Sequence, residues 1–192
     1  EIFFSDVPLM TNHGTFIING IERVVIPQIA IYYGIFFTLN DAKGKNLFGA
    51  KIIPARGSWI EIESESDGAI YVKIDKKRKF AISSLLRIFG AKTDKDITDL
   101  FKGEAEVLKV METTILKDHA KNQDDSFLEV YKRLRDGDLA ALENAKQHVQ
   151  SIFSAERYDI SKVGRSKFNK RFDLPTDEKT LEKKDISLQD FV

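Results

Sequence analysis

The chain contains no cysteine in 192 residues. That excludes a disulfide framework, a thiolate zinc site and a cysteine nucleophile, and it agrees with an expected cytoplasmic location. Proline is scarce, with four residues, and there is a single tryptophan. No long apolar run is present: the densest stretch, Ile21 to Leu39, is interrupted by Glu22, Arg23, Pro27, Gln28 and Gly34. It is therefore no membrane-crossing helix, and neither a membrane partner nor a signal peptide is expected. Net charge is also lacking, because 30 Lys and Arg balance 30 Asp and Glu. With 42% apolar and 31% charged residues, the composition is that of a folded globular protein large enough for a real core. The opening at Glu1 runs straight into Ile2-Phe3-Phe4, as expected of a piece of a longer protein.

Catalytic motifs are missing as well. His13, His119 and His148 are scattered and read as surface histidines. There is no His-Glu-x-x-His pattern, no phosphate loop, no Gly-x-Gly-x-x-Gly and no Gly-x-Ser-x-Gly elbow. Asp136 and Asp138 flank Gly137 between two helical patterns, which is turn chemistry rather than a two-metal carboxylate site.

What is present divides the chain by periodicity. The first half predicts strands. Thr15–Ile18 and Arg23–Ile26 flank the turn dipeptide Asn19-Gly20. Further strands are predicted at Gly34–Thr38, Leu47–Ile53, Ser58–Glu63 and Ala69–Ile74, the last two joined at Asp67-Gly68. The second half predicts helices. Ile82, Leu85, Leu86 and Phe89 recur at helical spacing before Gly90. Thr93 or Asp94 caps the next helix, and further helices are predicted over Val107–Leu116, around Phe127–Leu134 and over Leu142–Phe153. Fold class is α+β, with antiparallel strands and hairpins first and helices after. The expected organisation is a hairpin segment over 1–30, a central domain over 31–158 and a basic return segment with a charged tail over 159–192.

The zero net charge hides strong local imbalance. Lys73 to Lys79 holds five cations against Asp75 alone, and Ser161 to Phe172 holds five cations and no acid. Glu61, Glu63, Glu65 and Asp67 form one compensating run, and Asp94 to Glu106 another. A basic cluster can be a solvated face or can neutralise phosphates. Two such clusters, with Trp59 in Arg56-Gly57-Ser58-Trp59, favour a nucleic-acid partner, the indole either stacking on an unpaired base or packing within the fold.

Three blocks carry a resemblance. Val7-Pro8-Leu9-Met10-Thr11 with Gly14 to Val25 is the first, and Ala50 to Trp59 with Val72 to Lys79 the second. The third is Tyr131-Lys132-Arg133-Leu134-Arg135-Asp136-Gly137-Asp138 with Glu156 to Asn169. In this order they resemble the N-terminal part of the bacterial RNA polymerase β subunit. The resemblance implies the lobe with adjoining segments of the protrusion, one wall of the DNA cleft of a nucleotidyltransferase. Catalytic Mg²⁺ would then belong to the β′ subunit, with no catalytic residue and no cofactor in this fragment. The implied partners are DNA, the β′, α and ω subunits and the σ factor, with the isolated fragment a monomer. By position the resemblance implies DNA contacts at Trp59, Asp75, Lys76, Lys77, Arg78, Arg135, Arg165 and Lys167. It places Ile26 and Gln28 at the border of the rifamycin pocket. A second reading is a docking platform for σ or transcription factors, using edge strands and the acidic run. The chain departs from the family after Gln28, where Leu-His-Arg-Ser-Pro-Gly is usual and Ile29-Ala30-Ile31-Tyr32-Tyr33-Gly34 stands here. Ile31 replaces an arginine that reaches DNA, and Pro27 replaces a serine.

Overall fold

A computed structural model describes the chain apart from Glu1, Phe4, Ala30, Lys43 and residues 136–140. The turn expected at Asp136 and Asp138 lies outside the described residues. The chain forms two compact units, Glu1–Tyr32 and Tyr33–Val192.

The first unit is built on one hairpin. Strands β1 (Phe16–Ile18) and β2 (Ile21–Arg23) pair antiparallel about Asn19 and Gly20. Both turn residues have positive φ, 51° and 75°, as a tight two-residue turn between right-twisted strands requires. Val24 to Ile26, expected as strand, are exposed and lie outside it. No described residue of this unit is buried.

The second unit begins with five strands in chain order: β3 (Gly34–Ala42), β4 (Lys45–Ile53), β5 (Ile60–Ser64), β6 (Ile70–Ile74) and β7 (Phe80–Ala81). They form one antiparallel meander. Alternation sorts their side chains. Ile52, Ile60, Val72 and Ile74 enter the core, while Lys51, Glu61 and Lys73 lie directly across from one another on the opposite face.

Seven helices follow among the described residues: α1 (Ile82–Phe89), α2 (Asp94–Leu100), α3 (Ala105–Lys117), α4 (Gln123–Leu134), α5 (Leu142–Ile152), α6 (Ser161–Arg171) and the short α7 (Glu178–Leu181). Leu85 and Leu86 carry the first helix into the core, and Gly90 ends it at φ 130°. A reciprocal cap opens α2: Thr93 Oγ1 accepts from the Asp96 N–H at 3.1 Å, and Asp96 accepts from the Thr93 N–H at 2.9 Å. Beneath these helices Arg87 is wholly buried. Asp118 accepts from it at 2.8 Å and from the hydroxyls of Ser83 and Ser84 at 2.5 and 2.9 Å. Such a pair is tolerated in the core because its hydrogen bonds are largely satisfied.

Residues 161–171, read from the sequence only as a basic segment, are helix α6. Gly164 sits where an added Cβ would lie 3.5 Å from the Cβ of Tyr33. Phe168 is buried, and the helix packs on β3.

Candidate nucleic-acid interface

Trp59 ends the loop that joins β4 to β5. Pro54 is buried and the loop then turns outward. Its middle is pinned by a distant segment: the Asp159 carbonyl accepts from Ala55 and Arg56 N–H at 2.8 and 3.0 Å, and Asp159 N–H donates to the Arg56 carbonyl at 2.8 Å. Gly57 makes this approach possible. Its φ is 119°, and a Cβ there would come within 2.8 Å of the Tyr158 ring. Any side chain would therefore push the loop off Tyr158.

Both backbone groups of Trp59 are held from the β6–β7 turn. Its N–H donates to Asp75 Oδ1 at 2.8 Å, and its carbonyl accepts from the Asp75 N–H at 2.9 Å. Asp75 and Lys76 both adopt left-handed backbone, φ 49° and 59°, closing the turn with Lys77 N–H donating to the Ile74 carbonyl at 3.0 Å. The turn swings the Lys76 ammonium to 5.8 Å from the Trp59 ring centroid, within the reach of a cation–π contact. Trp59, Asp75 and Lys76 line an open cavity of about 190 Å³, and the indole is partly exposed. An aromatic face, a cation above it and a fixed backbone suit stacking on a flat anionic ligand.

Tyr158 is the base of this corner. It is fully buried, its hydroxyl has no hydrogen-bond partner among the described residues, and burial pushes its pKa up.

The structure assembles the expected site residues unevenly. Trp59, Asp75 and Lys76 come together, and Lys77 and Arg78 follow exposed in the same turn. Arg135 is exposed at the C-terminal cap of α4, apart from that cavity. Ile26 and Gln28 are exposed residues of the first unit. Lys167 is exposed on α6, its stem 3.4 Å from the Cβ position of Gly34.

Arg165 is a correction. It was expected to face DNA with Lys167, but it is 2% exposed. Its guanidinium donates to Asp190 at 2.5 Å, to the Lys183 carbonyl at 2.9 Å and to the Asp185 carbonyl. All three of its nitrogens donate into residues 183–190, so it latches that segment onto α6.

The acidic run, which the docking reading uses, lies beside the basic run. Lys51 meets Glu61 at 3.0 Å, Lys73 meets Glu63 at 2.7 Å, Lys79 meets Glu65, and Lys117 meets Asp67 at 2.9 Å. The hydrogen bond that Lys73 donates to Glu63 holds its ammonium above its ordinary pKa. Burial would raise the Asp67 carboxyl, but Lys117, the Ala69 N–H and the Tyr71 hydroxyl outweigh it and lower its pKa. Neutralisation is thus pairwise, across neighbouring strands for Glu61 and Glu63 and from the segment before β7 and helix α3 for Glu65 and Asp67. The sequence carried the signal in its alternating acids on β5, but the partners depend on strand register.

Among the described residues no group of three or more His, Asp or Glu side chains is placed to hold a metal ion, and no helix is long and apolar enough to cross a membrane. The family model for RNA polymerase Rpb2, domain 2, matches residues 34–188. This chain belongs to the RNA polymerase β-subunit family. It is 47% identical over 176 residues to the DNA-directed RNA polymerase subunit beta of Clostridium kluyveri, covering 91% of this chain and 14% of that relative. It is also 47% identical over 173 residues to that of Clostridium botulinum, covering 89% and 14%. The chain therefore spans about one seventh of the length of these β subunits. The domain match begins at the first residue of β3 and ends within the turn latched by Arg165.

Proposed function

We propose that this chain is the lobe portion of a DNA-directed RNA polymerase β subunit and lines the wall of the cleft that holds non-template and downstream DNA. Nucleotidyl transfer and its Mg²⁺ would lie elsewhere in the assembled enzyme, in the β′ subunit that the resemblance implies. The α, ω and σ subunits would be further partners. The observation that carries this reading is the Trp59 corner: a partly exposed indole, its backbone fixed at both ends by Asp75, with Lys76 over the ring.

Fixing Trp59 before the ligand arrives removes an ordering cost from binding. An unpaired base stacked on the indole gains about 1–3 kcal/mol, while Lys76, Lys77 and Arg78 attract the flanking phosphates. Catalysis would benefit indirectly, through a bubble held open and a template kept aligned. The arginine replaced by Ile31 contributes nothing here, which leaves a larger share of the contact to the Trp59 corner.

The test is Trp59→Ala, read by titrating the chain against labelled bubble DNA and fully paired duplex at low salt. Bubble affinity should fall about tenfold, in line with the loss of one stacked base, with duplex affinity little changed, because paired bases offer no free face. Equal losses on both substrates would remove stacking from the account.

A further inference from the structure

The apolar face of the sheet extends beyond the helix that covers it. In the strand register Phe37 lies opposite Ala50, and Leu39 opposite Phe48, so these side chains share one face. That face leads back to Ile52 and Ile60, which are 2% and 0% exposed. Toward the β3–β4 turn, Phe37, Leu39 and Phe48 are 48%, 60% and 66% exposed. Between the face and the end of α6 runs a cleft of about 300 Å³. Phe172 meets Phe37 edge-on there, with centroids 6.1 Å apart. The rim is basic. Arg171 stacks its guanidinium 5.1 Å from the Phe37 centroid. Arg171 is exposed and has no ion pair among the described residues.

We propose that this cleft docks a short segment of a protein partner in which carboxylates flank one or two aliphatic or aromatic side chains. The floor is mostly hydrocarbon, the Asp190 carboxylate in its lining being paired with Arg165, so it gains from covering apolar side chains and loses from covering hydrogen-bonding base edges. The rim offers the Arg171 guanidinium, which no acid among the described residues pairs, so a carboxylate adds attraction where a neutral peptide would not. A second copy of the chain fits less well, since a two-fold contact brings the same patch on both subunits together, and here Arg171 would approach its own counterpart. The surface is distinct from the Trp59 corner, and the proposal does not depend on DNA binding.

The experiment uses the whole chain and a fluorescein-labelled twelve-residue peptide alternating Asp or Glu with Leu or Phe. A matched peptide carrying Lys in place of the acids and a labelled single-stranded DNA oligonucleotide serve as comparisons. Anisotropy should show the acidic peptide binding at least tenfold more tightly than the lysine peptide. Leu39→Ser and Arg171→Glu should each weaken it at least fivefold. Both positions are exposed, and circular dichroism checks that the variants fold. Amide shifts induced in the unmodified chain should centre on Phe37, Leu39, Phe48 and Phe172. Equal binding of the two peptides, unchanged affinity in both variants, or shifts centred elsewhere would overturn the proposal. It would also be overturned if DNA displaced the acidic peptide from these residues. So would sedimentation showing a dimer that Leu39→Ser dissolves while the peptide does not bind, because the face would then belong to a second copy.

Discussion

Arg165 and Lys167 are two positions apart on α6 and face opposite environments. A helix advances about 100° per residue, so residues two apart point roughly 200° away from each other. Lys167 stays exposed while Arg165 turns under the helix to Asp190. Their difference sets a prediction. Arg165→Ala strands a carboxylate that is 8% exposed and should cost about 3–5 kcal/mol of stability, the range for breaking a buried ion pair. Lys167→Ala should stay within about 0.5 kcal/mol, as surface changes do. Urea unfolding followed by circular dichroism measures both, and a near-neutral Arg165→Ala would show the latch to be unimportant. Trp59 presents the converse case. Its basic neighbourhood was legible in Arg56, Lys76, Lys77 and Arg78. Its anchoring was not, because the bonds to Asp75 need two turn residues in left-handed backbone that carry no glycine.

At the scale of elements, the hairpin of β5 and β6 joins the two halves of the charge pattern. The alternation of Glu61 and Glu63 with Ile60 and Ile62 made both strands legible, as did the helical spacing of Ile82, Leu85, Leu86 and Phe89. The sequence did not reveal which cation each acid would neutralise, because cross-strand partners follow from register, and register is settled by tertiary packing. Helix α6 escaped notice for a related reason. Its inward positions are Gly164, Arg165, Phe168 and Asn169, so no apolar stripe marks it. The pairing of Lys73 with Glu63 and of Lys79 with Glu65 also limits how many cations can serve a phosphate. Glu63→Gln together with Glu65→Gln would release two lysines beside the Trp59 turn. The slope of log affinity for single-stranded DNA against log salt should then steepen by about 0.7 per lysine. An unchanged slope would mean that this strand edge lies outside the DNA path.

For the whole molecule, the division into units has a mechanical meaning. All the core residues belong to Tyr33–Val192, and no described residue before Tyr33 is buried. Hydrophobic burial is the main favourable term in folding, so a chain beginning at residue 33 should unfold at the same urea midpoint as the full chain. A midpoint lowered by removal of residues 1–32 would show that the first unit supports the second. The α+β class and the order of strands before helices were legible from periodicity alone. The closure of the fold was not, since it joins residues far apart in the sequence.

That closure also orders events in time. The loop carrying Trp59 is tied at Arg56 to Asp159 and rests on Tyr158, about a hundred residues further along the chain. At synthesis rates of about 5–20 residues per second, the ribosome needs roughly 5–20 s to make that stretch. During this interval the loop before Trp59 lacks its anchor, while the Asp75 turn that holds Trp59 itself is already made. The nascent chain can pair its strands early, yet the β4–β5 loop cannot be fixed at both ends until the helical half has emerged and folded back.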